Sequence, residues 1–293
     1  MSRGIITSLI SLIVFISITS IFTLYILNIL PQNITGESAS ANNGIAASNT
    51  AFPSRLAIIN FDDGYKSQFI YAKPILDRYG FKATFFIVCN FVGKSAKQMN
   101  SSSIVSFAGK GVEQMTWNDI TTLYKEGYQI GAHTMDHLRN MTNMPSGKLN
   151  YEIGRSKQCI LGHGIPVTTF AYPFDNGRDN ATIVNTVSHY FSYARSGNYP
   201  LMFLHSDHFR EYTHQHDCRT YLPNGKITFV NRYSIIGWSH DYDRIAYIYN
   251  YKQMLNRFIQ VVSSQEKYNN RPGQTVDAIP RFLLHSLSVL DYW

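Results

Sequence analysis

A chain of 293 residues, 44% of them hydrophobic, is long enough to bury a sizeable core, and three cysteines are too few to build a disulfide scaffold. Its net charge of +7 comes without a Lys/Arg run or a basic stripe interleaved with aromatics, which excludes nucleic acid as the expected partner.

Ile5 to Leu30 is apolar with scattered Ser and Thr and carries no charge, so it can span a bilayer. Arg3 and the amino terminus precede it and Glu37 is the first charge after it. The positive-inside bias therefore predicts residues 1–30 as a cytoplasmic tip and transmembrane anchor, with the body outside. The rival is a cleaved signal peptide and a secreted product. The apolar core of such a peptide usually runs about 7–15 residues, and the small triplet Ala39-Ser40-Ala41 lies well past this run. Residues 31–52 have the composition of a flexible linker, and residues 53–293 suit one α/β domain.

Within that domain, Leu56 to Ile59 reads as a buried strand that stops at Asp62, Asp63 and Gly64. Tyr71 to Tyr79 predicts a helix entered near Pro74 and closed by Gly80, followed by a strand over Ala83 to Val88. Asn90 to Val112 has no period and reads as a long loop. Thr116 to Asp119 carries a capping-box pattern that starts a helix ended by Gly127, and Tyr128 to Ala132 is a strand running into His133. Pro145 to Leu161 predicts a helix stopped at Gly162, and Val167 to Tyr172 a strand. A weaker helix over Asn180 to Tyr190 leads to a strand at Tyr193 to Arg195. Ile227 to Ile236 is strand-like, a helix runs from about Ile245 to Val262, and Arg281 to Leu284 is a last strand. Strand and helix in alternation mean parallel strands with right-handed crossovers, a doubly wound sheet or a barrel. Either fold gathers the strand ends at one edge.

The chemistry sits at those ends. Adjacent carboxylates at Asp62 and Asp63 need a cation, a shared proton or strong donors, and a metal is the simplest answer; an Asp-Gly turn is the bland one. His133-Thr134-Met135-Asp136-His137 brings two imidazoles to the same edge. One carboxylate and two histidines make an open zinc site, because three protein ligands leave a position for water. His205, His208, His214 and His216 form a second cluster, read as a solvated insertion loop with a second metal as the alternative.

Asn60 to Gly64, His133 to His137, Phe170 to Phe174 and Leu283 to Leu287, in this order, resemble the polysaccharide deacetylase family, the NodB-homology or carbohydrate esterase family 4 group, over roughly Arg55 to Ser288. The resemblance implies an α/β fold, a distorted (β/α) barrel of the polysaccharide deacetylase type. It implies a divalent metal, most simply Zn2+, and an N-acetylated polysaccharide substrate. Asp62 would be the base, Asp63, His133 and His137 the metal ligands, and His285 the general acid. The backbone N–H of Phe174 would face the oxyanion. The assignment makes chemical sense: a metal lowers the pKa of bound water from about 15.7 to about 7 and polarises a carbonyl, and an imidazole with a pKa of about 6.5 suits protonation of a departing amine.

Many members of that family carry an arginine where Ala171 stands and a glycine where Asp175 stands, the arginine holding the catalytic aspartate. Arg195 or Arg232, each near a strand, could substitute. The family's fourth motif is not recognisable. The competing readings are a carbohydrate-binding protein that retains the metal but not turnover, and a metal phosphoesterase. The latter would want two metals and phosphate-clamping cations beside the aspartates.

Overall fold

The structure is a computed structural model that describes residues 56–95, 97–99, 113–197, 201–203, 220–228, 232–239, 251–266 and 278–284. All of them fall in one compact unit, Ala51–Trp293. The predicted anchor and linker, the His205–His216 cluster and His285 lie outside the described residues. Among the described residues no helix is long and apolar enough to cross a membrane.

Five parallel strands stand side by side in chain order: β1 (Ile58–Phe61), β2 (Thr84–Ile87), β3 (Gln129–Ala132), β4 (Thr169–Ala171) and β5 (Tyr193–Ser196). Their crossovers are helical. α1 (Lys73–Tyr79) extends a π-helical turn at Gln68–Ala72 and ends on left-handed Gly80. α2 (Trp117–Lys125) starts from the capping box expected of Thr116 and Asp119. The helix expected from Pro145 to Leu161 is α3 (Ser146–Asn150) and α4 (Ser156–Gly162), joined by a π-helical turn at Tyr151–Arg155. α5 (Ala181–Tyr190) is capped by Asn180, whose side chain accepts the Ile183 N–H.

β2 is buried at all four positions, as a strand covered on both faces must be. Phe61 and Phe85 stack beneath the sheet with ring centroids 4.9 Å apart. β1 begins two residues later than the apolar run suggests. Leu56 is exposed, whereas polar Asn60 is fully buried and accepts a hydrogen bond from Arg281 Nη2 at 3.1 Å. Hydrophobicity therefore misplaces this strand because part of the interior is polar.

The second half of the chain departs further from expectation. After β5, a short β6 (Leu201–Phe203) and a hairpin of β7 (Thr220–Tyr221) and β8 (Ile227–Thr228) precede β9 (Ile235–Ile236) and β10 (Trp238–Ser239). The single strand predicted over Ile227 to Ile236 is thus two, in different sheets. α6 (Tyr251–Ser264) follows, then β11 (Ala278–Leu284), which begins earlier than predicted. Its first residues pair antiparallel with β6, and Arg281 to Leu284 pair parallel with β1.

β9 pairs with β5 and β10 pairs with β11, both parallel, and only Gly237 separates them. The two edges of the parallel sheet therefore meet on one five-residue segment, Ile235–Ser239, so the pairing runs round a ring. A Cβ at Gly237 would stand 3.4 Å from Ser196 O and 3.6 Å from Arg281 Cδ, contacts from either side of this seam.

Cys89, after β2, is joined to Cys159 on α4 by a disulfide across 70 residues of chain. Closing a loop of that size is worth roughly 4 kcal/mol in the chain-entropy account.

A tight internal fit lies at Gly131 on β3, where a Cβ would overlap the Phe86 ring and come within 2.9 Å of Thr169 Oγ1. Gly131→Ala is expected to destabilise the chain by about 1–3 kcal/mol, read by urea unfolding. A neutral result would mean that β2 and β4 are looser around this residue than the packing indicates.

Candidate metal centre

Three strands deliver the site. β1 ends in Asp62, Asp63 and Gly64, β3 runs into His133–His137, and β4 leads to a 3-10 turn at Pro173–Asp175. Among the described residues the non-glycine residues with positive φ are Asp63, Thr134, His137, Phe174 and Asp175, all in these three loops. Left-handed backbone costs an L-residue about 1–2 kcal/mol, and it gathers here because each chain must turn sharply to present its side chain.

Asp63 Oδ1 lies 3.2 Å from His137 Nε2 and 3.4 Å from His133 Nε2, and the two imidazole nitrogens are 3.1 Å apart. All three residues are buried. His133 Nδ1 donates to the Ala171 carbonyl at 2.8 Å, so its proton is on Nδ1 and the lone pair of Nε2 faces the carboxylate. Two acceptors aimed at one point call for a cation. In a tetrahedral zinc site with bonds of about 2.0–2.1 Å, ligand atoms sit roughly 3.3 Å apart, which this triad matches. The donor set of two imidazoles and a carboxylate fits zinc, and three ligands leave the site open.

Asp62 is held differently. Its Oδ2 accepts from Arg195 Nη2, its carbonyl accepts from Gln68 Nε2 at 2.5 Å, and its N–H donates to the Leu284 carbonyl at 2.9 Å. Its carboxylate stands 3.7 Å from His133 Nε2, at the margin of the triad. Of the two arginines left open by the sequence, Arg195 is buried and reaches Asp62, whereas Arg232 is exposed with its guanidinium over the Tyr233 ring. Ala171 and Arg195 are partners in register on adjacent strands. The guanidinium expected at position 171 thus comes from the neighbouring strand. A second buried arginine, Arg281, has its pKa held well below the ordinary arginine value by burial and then by Arg195, with Asp62 acting against both.

Phe174 packs its ring against His137 in a T-shaped arrangement, centroids 4.6 Å apart, and Arg139 lies over the Phe174 ring at 4.0 Å. The structure therefore brings together Asp62, Asp63, His133, His137 and Phe174. Residues missed from sequence include Gln68 and Thr134, whose Oγ1 accepts the His137 N–H at 3.0 Å. A threonine between the two histidines was the available signal for the latter; Gln68 had none.

Residues 49–190 match the family model described as polysaccharide deacetylase. The chain is 26% identical over 124 residues to a gellan lyase of a Bacillus species, a match covering 42% of this chain and 4% of that protein. It is similar to the Streptococcus pyogenes deacetylase PplD in complex with acetate, at 20% identity over 50% of this chain and 57% of that one, with a TM-score of 0.40. It is also similar to IcaB from Ammonifex degensii, at 23% identity over 51% of this chain and 63% of that one, with a TM-score of 0.41. The chain thus spans less than two thirds of the length of each of these relatives.

Arg195→Met should lower stability by about 3–5 kcal/mol, because it strips a buried carboxylate of its guanidinium. Adding Asp62→Asn should recover part of that loss, while Arg232→Ala should stay within about 0.5 kcal/mol of the parent. Urea unfolding of the four proteins measures this. Equal losses for the Arg195 and Arg232 variants would remove any special role from the Asp62 pair.

Proposed function

We propose that this chain, which carries a polysaccharide deacetylase domain over residues 49–190, is a metal-dependent hydrolase that removes N-acetyl groups from an extracellular or cell-surface polysaccharide. The observation that carries the reading is the division of labour between two adjacent aspartates. Asp63 converges with His133 and His137, while Asp62 beside them is tied to Arg195.

Asp63, His133 and His137 would hold the cation, zinc by the chemistry of the donors. When bound, such an ion supplies positive charge that polarises the acetyl carbonyl and acidifies water. Asp62 takes the proton of the attacking water, and its bond to Arg195 keeps the carboxylate oriented for that task. The Phe174 N–H donates to the oxygen on which charge develops, a contribution worth about 2.7–4 kcal/mol by analogy with other oxyanion holes. His285 returns a proton to the sugar nitrogen as its bond to the acetyl carbon breaks, so water is consumed and acetate and an amine leave. The Arg195 bond weakens the case for a carbohydrate binder without turnover, since the departure at Ala171 was a main reason to consider one. The segment Ile5–Leu30 would anchor the enzyme with its catalytic domain outside the cell.

Asp62→Asn keeps the shape and removes the base, so metal affinity should hold while kcat falls by about 10²–10⁴. Asp63→Asn removes an anionic ligand, so metal affinity should drop and excess zinc should restore part of the activity. The measurements are zinc titration and acetate release from chitin, peptidoglycan and poly-N-acetylglucosamine fragments with the full chain. Rescue of Asp62→Asn by metal would reverse the roles; full activity in both variants would sink the deacetylase reading.

His285→Ala is expected to retain its metal and lose most activity, especially on poor leaving groups, and loss of bound metal would make His285 a ligand instead. Protease added to intact cells should release the domain if the anchor is uncleaved; a mature protein beginning near Asn42 would defeat that part.

A further inference from the structure

The five-residue segment His133–His137, which brings two histidine Nε2 atoms to 3.1 Å, is neither helical nor extended. Thr134 and His137 are both left-handed, at φ 67° and 53°, and this turns the intervening N–H groups away from any strand partner. Buried N–H groups must be bonded or cost about 1–3 kcal/mol each. His137 is served by Thr134 Oγ1 within the segment. The other two, Met135 and Asp136, both donate to a single atom, Glu152 Oε2, at 3.1 and 2.9 Å.

Glu152 comes from the π-helical turn between α3 and α4 and is completely buried. Burial pushes its carboxyl above the usual range, with Lys148 and the Asp136 N–H acting against that. Lys148 Nζ stands 2.7 Å from Glu152 Oε1 and 2.9 Å from Asp136 Oδ2, while Asn90 Nδ2 donates to Asp136 Oδ1 at 2.5 Å. The turn itself has little room to shift: a Cβ at Gly154 would stand 2.6 Å from Tyr190 Cζ on α5. The Cys89 and Asn90 N–H groups in turn donate to the Thr134 and Met135 carbonyls at 3.2 and 3.0 Å. The histidine segment is therefore held both by backbone that the Cys89–Cys159 disulfide ties to α4 and by one carboxylate.

We infer that Glu152 is a positioning residue for the metal centre: its carboxylate holds the backbone of Met135 and Asp136 so that His133 and His137 are set for a divalent cation before one arrives. This rests on the metal-dependent reading above. It touches neither cation nor substrate and acts through the conformation of the segment. Groups that orient ligands in this way typically change metal affinity by about 10–100-fold when removed.

The test is a zinc titration of the metal-free full chain against a chromogenic chelator, with thermal unfolding of each metal-free protein measured beside it. Glu152→Ala is expected to bind zinc about 10–100-fold more weakly, a loss exceeding any change in its unfolding temperature would explain. Glu152→Gln, whose amide oxygen can accept both N–H groups, should recover most of that affinity. Parental affinity in a folded Glu152→Ala overturns the inference. Should that variant fail to fold, Glu152→Asp decides, because it keeps the charge and withdraws it from the two N–H groups. Weakened zinc binding in Glu152→Asp supports positioning, and parental binding or failure to fold makes Glu152 a structural carboxylate and overturns it. A parent chain that takes up no zinc sinks the metal reading and this inference together, whereas a zinc-binding parent matched by its variants sinks the inference alone.

Discussion

Two neighbouring carboxylates buried to 2% exposure are the constraint on which the rest of this structure depends. Each ion removed from water costs several kcal/mol, and adjacent like charges add to that. The chain separates the problem by turning the two carboxylates toward different partners. Asp63 turns, through a left-handed backbone, toward the two imidazoles, and Asp62 meets the guanidinium of Arg195. β1 and β5 are not neighbours in the ring of strands, so the Asp62–Arg195 pair crosses the interior rather than running along a ladder. Electrostatics and strand arrangement are thus one requirement: the pair forms only when the sheet curves enough to bring β5 opposite β1.

The same requirement explains why part of the interior is polar. Asn60 on β1 is buried two residues before Asp62 and is bonded by Arg281, so each of these polar side chains meets its own buried arginine. The seam at Gly237 lies against the same arginine, since a Cβ there would touch Arg281 and Ser196 from either side. Around the rim the backbone is strained at Asp63, Thr134 and His137, and hydrogen bonds to Thr134, Glu152 and the turn after β2 hold the histidine segment.

Much of this was legible in the residues. Parallel strands buried on both faces read as apolar runs, and β2 and β3 fall close to where those runs place them. Asp63, His133 and His137 stood out because metal-binding residue types followed two strands, β1 and β3. What was hidden has physical causes. The end of β1 was obscured by buried Asn60, and the first part of β11 by Pro280, which pairs antiparallel with Leu201 where a proline argues against a strand. The π-helical turns leave no mark in a pattern that is close to helical on either side. The split of the segment after Ile227 depends on pairing with β5 and β11, which are remote in sequence.

The departures from the family pattern gain a common explanation from the register of β4 and β5. The resemblance leads one to expect an arginine at 171 and a glycine at 175, and the chain has alanine and aspartate. Opposite Ala171 stands Arg195, its partner in register, about 4.8 Å away across the ladder. A long flexible side chain can enter the interior from either strand, so the guanidinium reaches Asp62 from the neighbour. Asp175 keeps the left-handed backbone that a glycine would favour, at φ 57°, which a short polar side chain tolerates better than a branched one. Its carboxylate then occupies the space that a side chain at Gly197 would fill. Two residues lost from β4 and its loop are therefore matched by two on β5 and its loop: Arg195 supplies the charge and Gly197 supplies the room. Physics constrains where the charge and the space lie, and not which of two adjacent strands provides them.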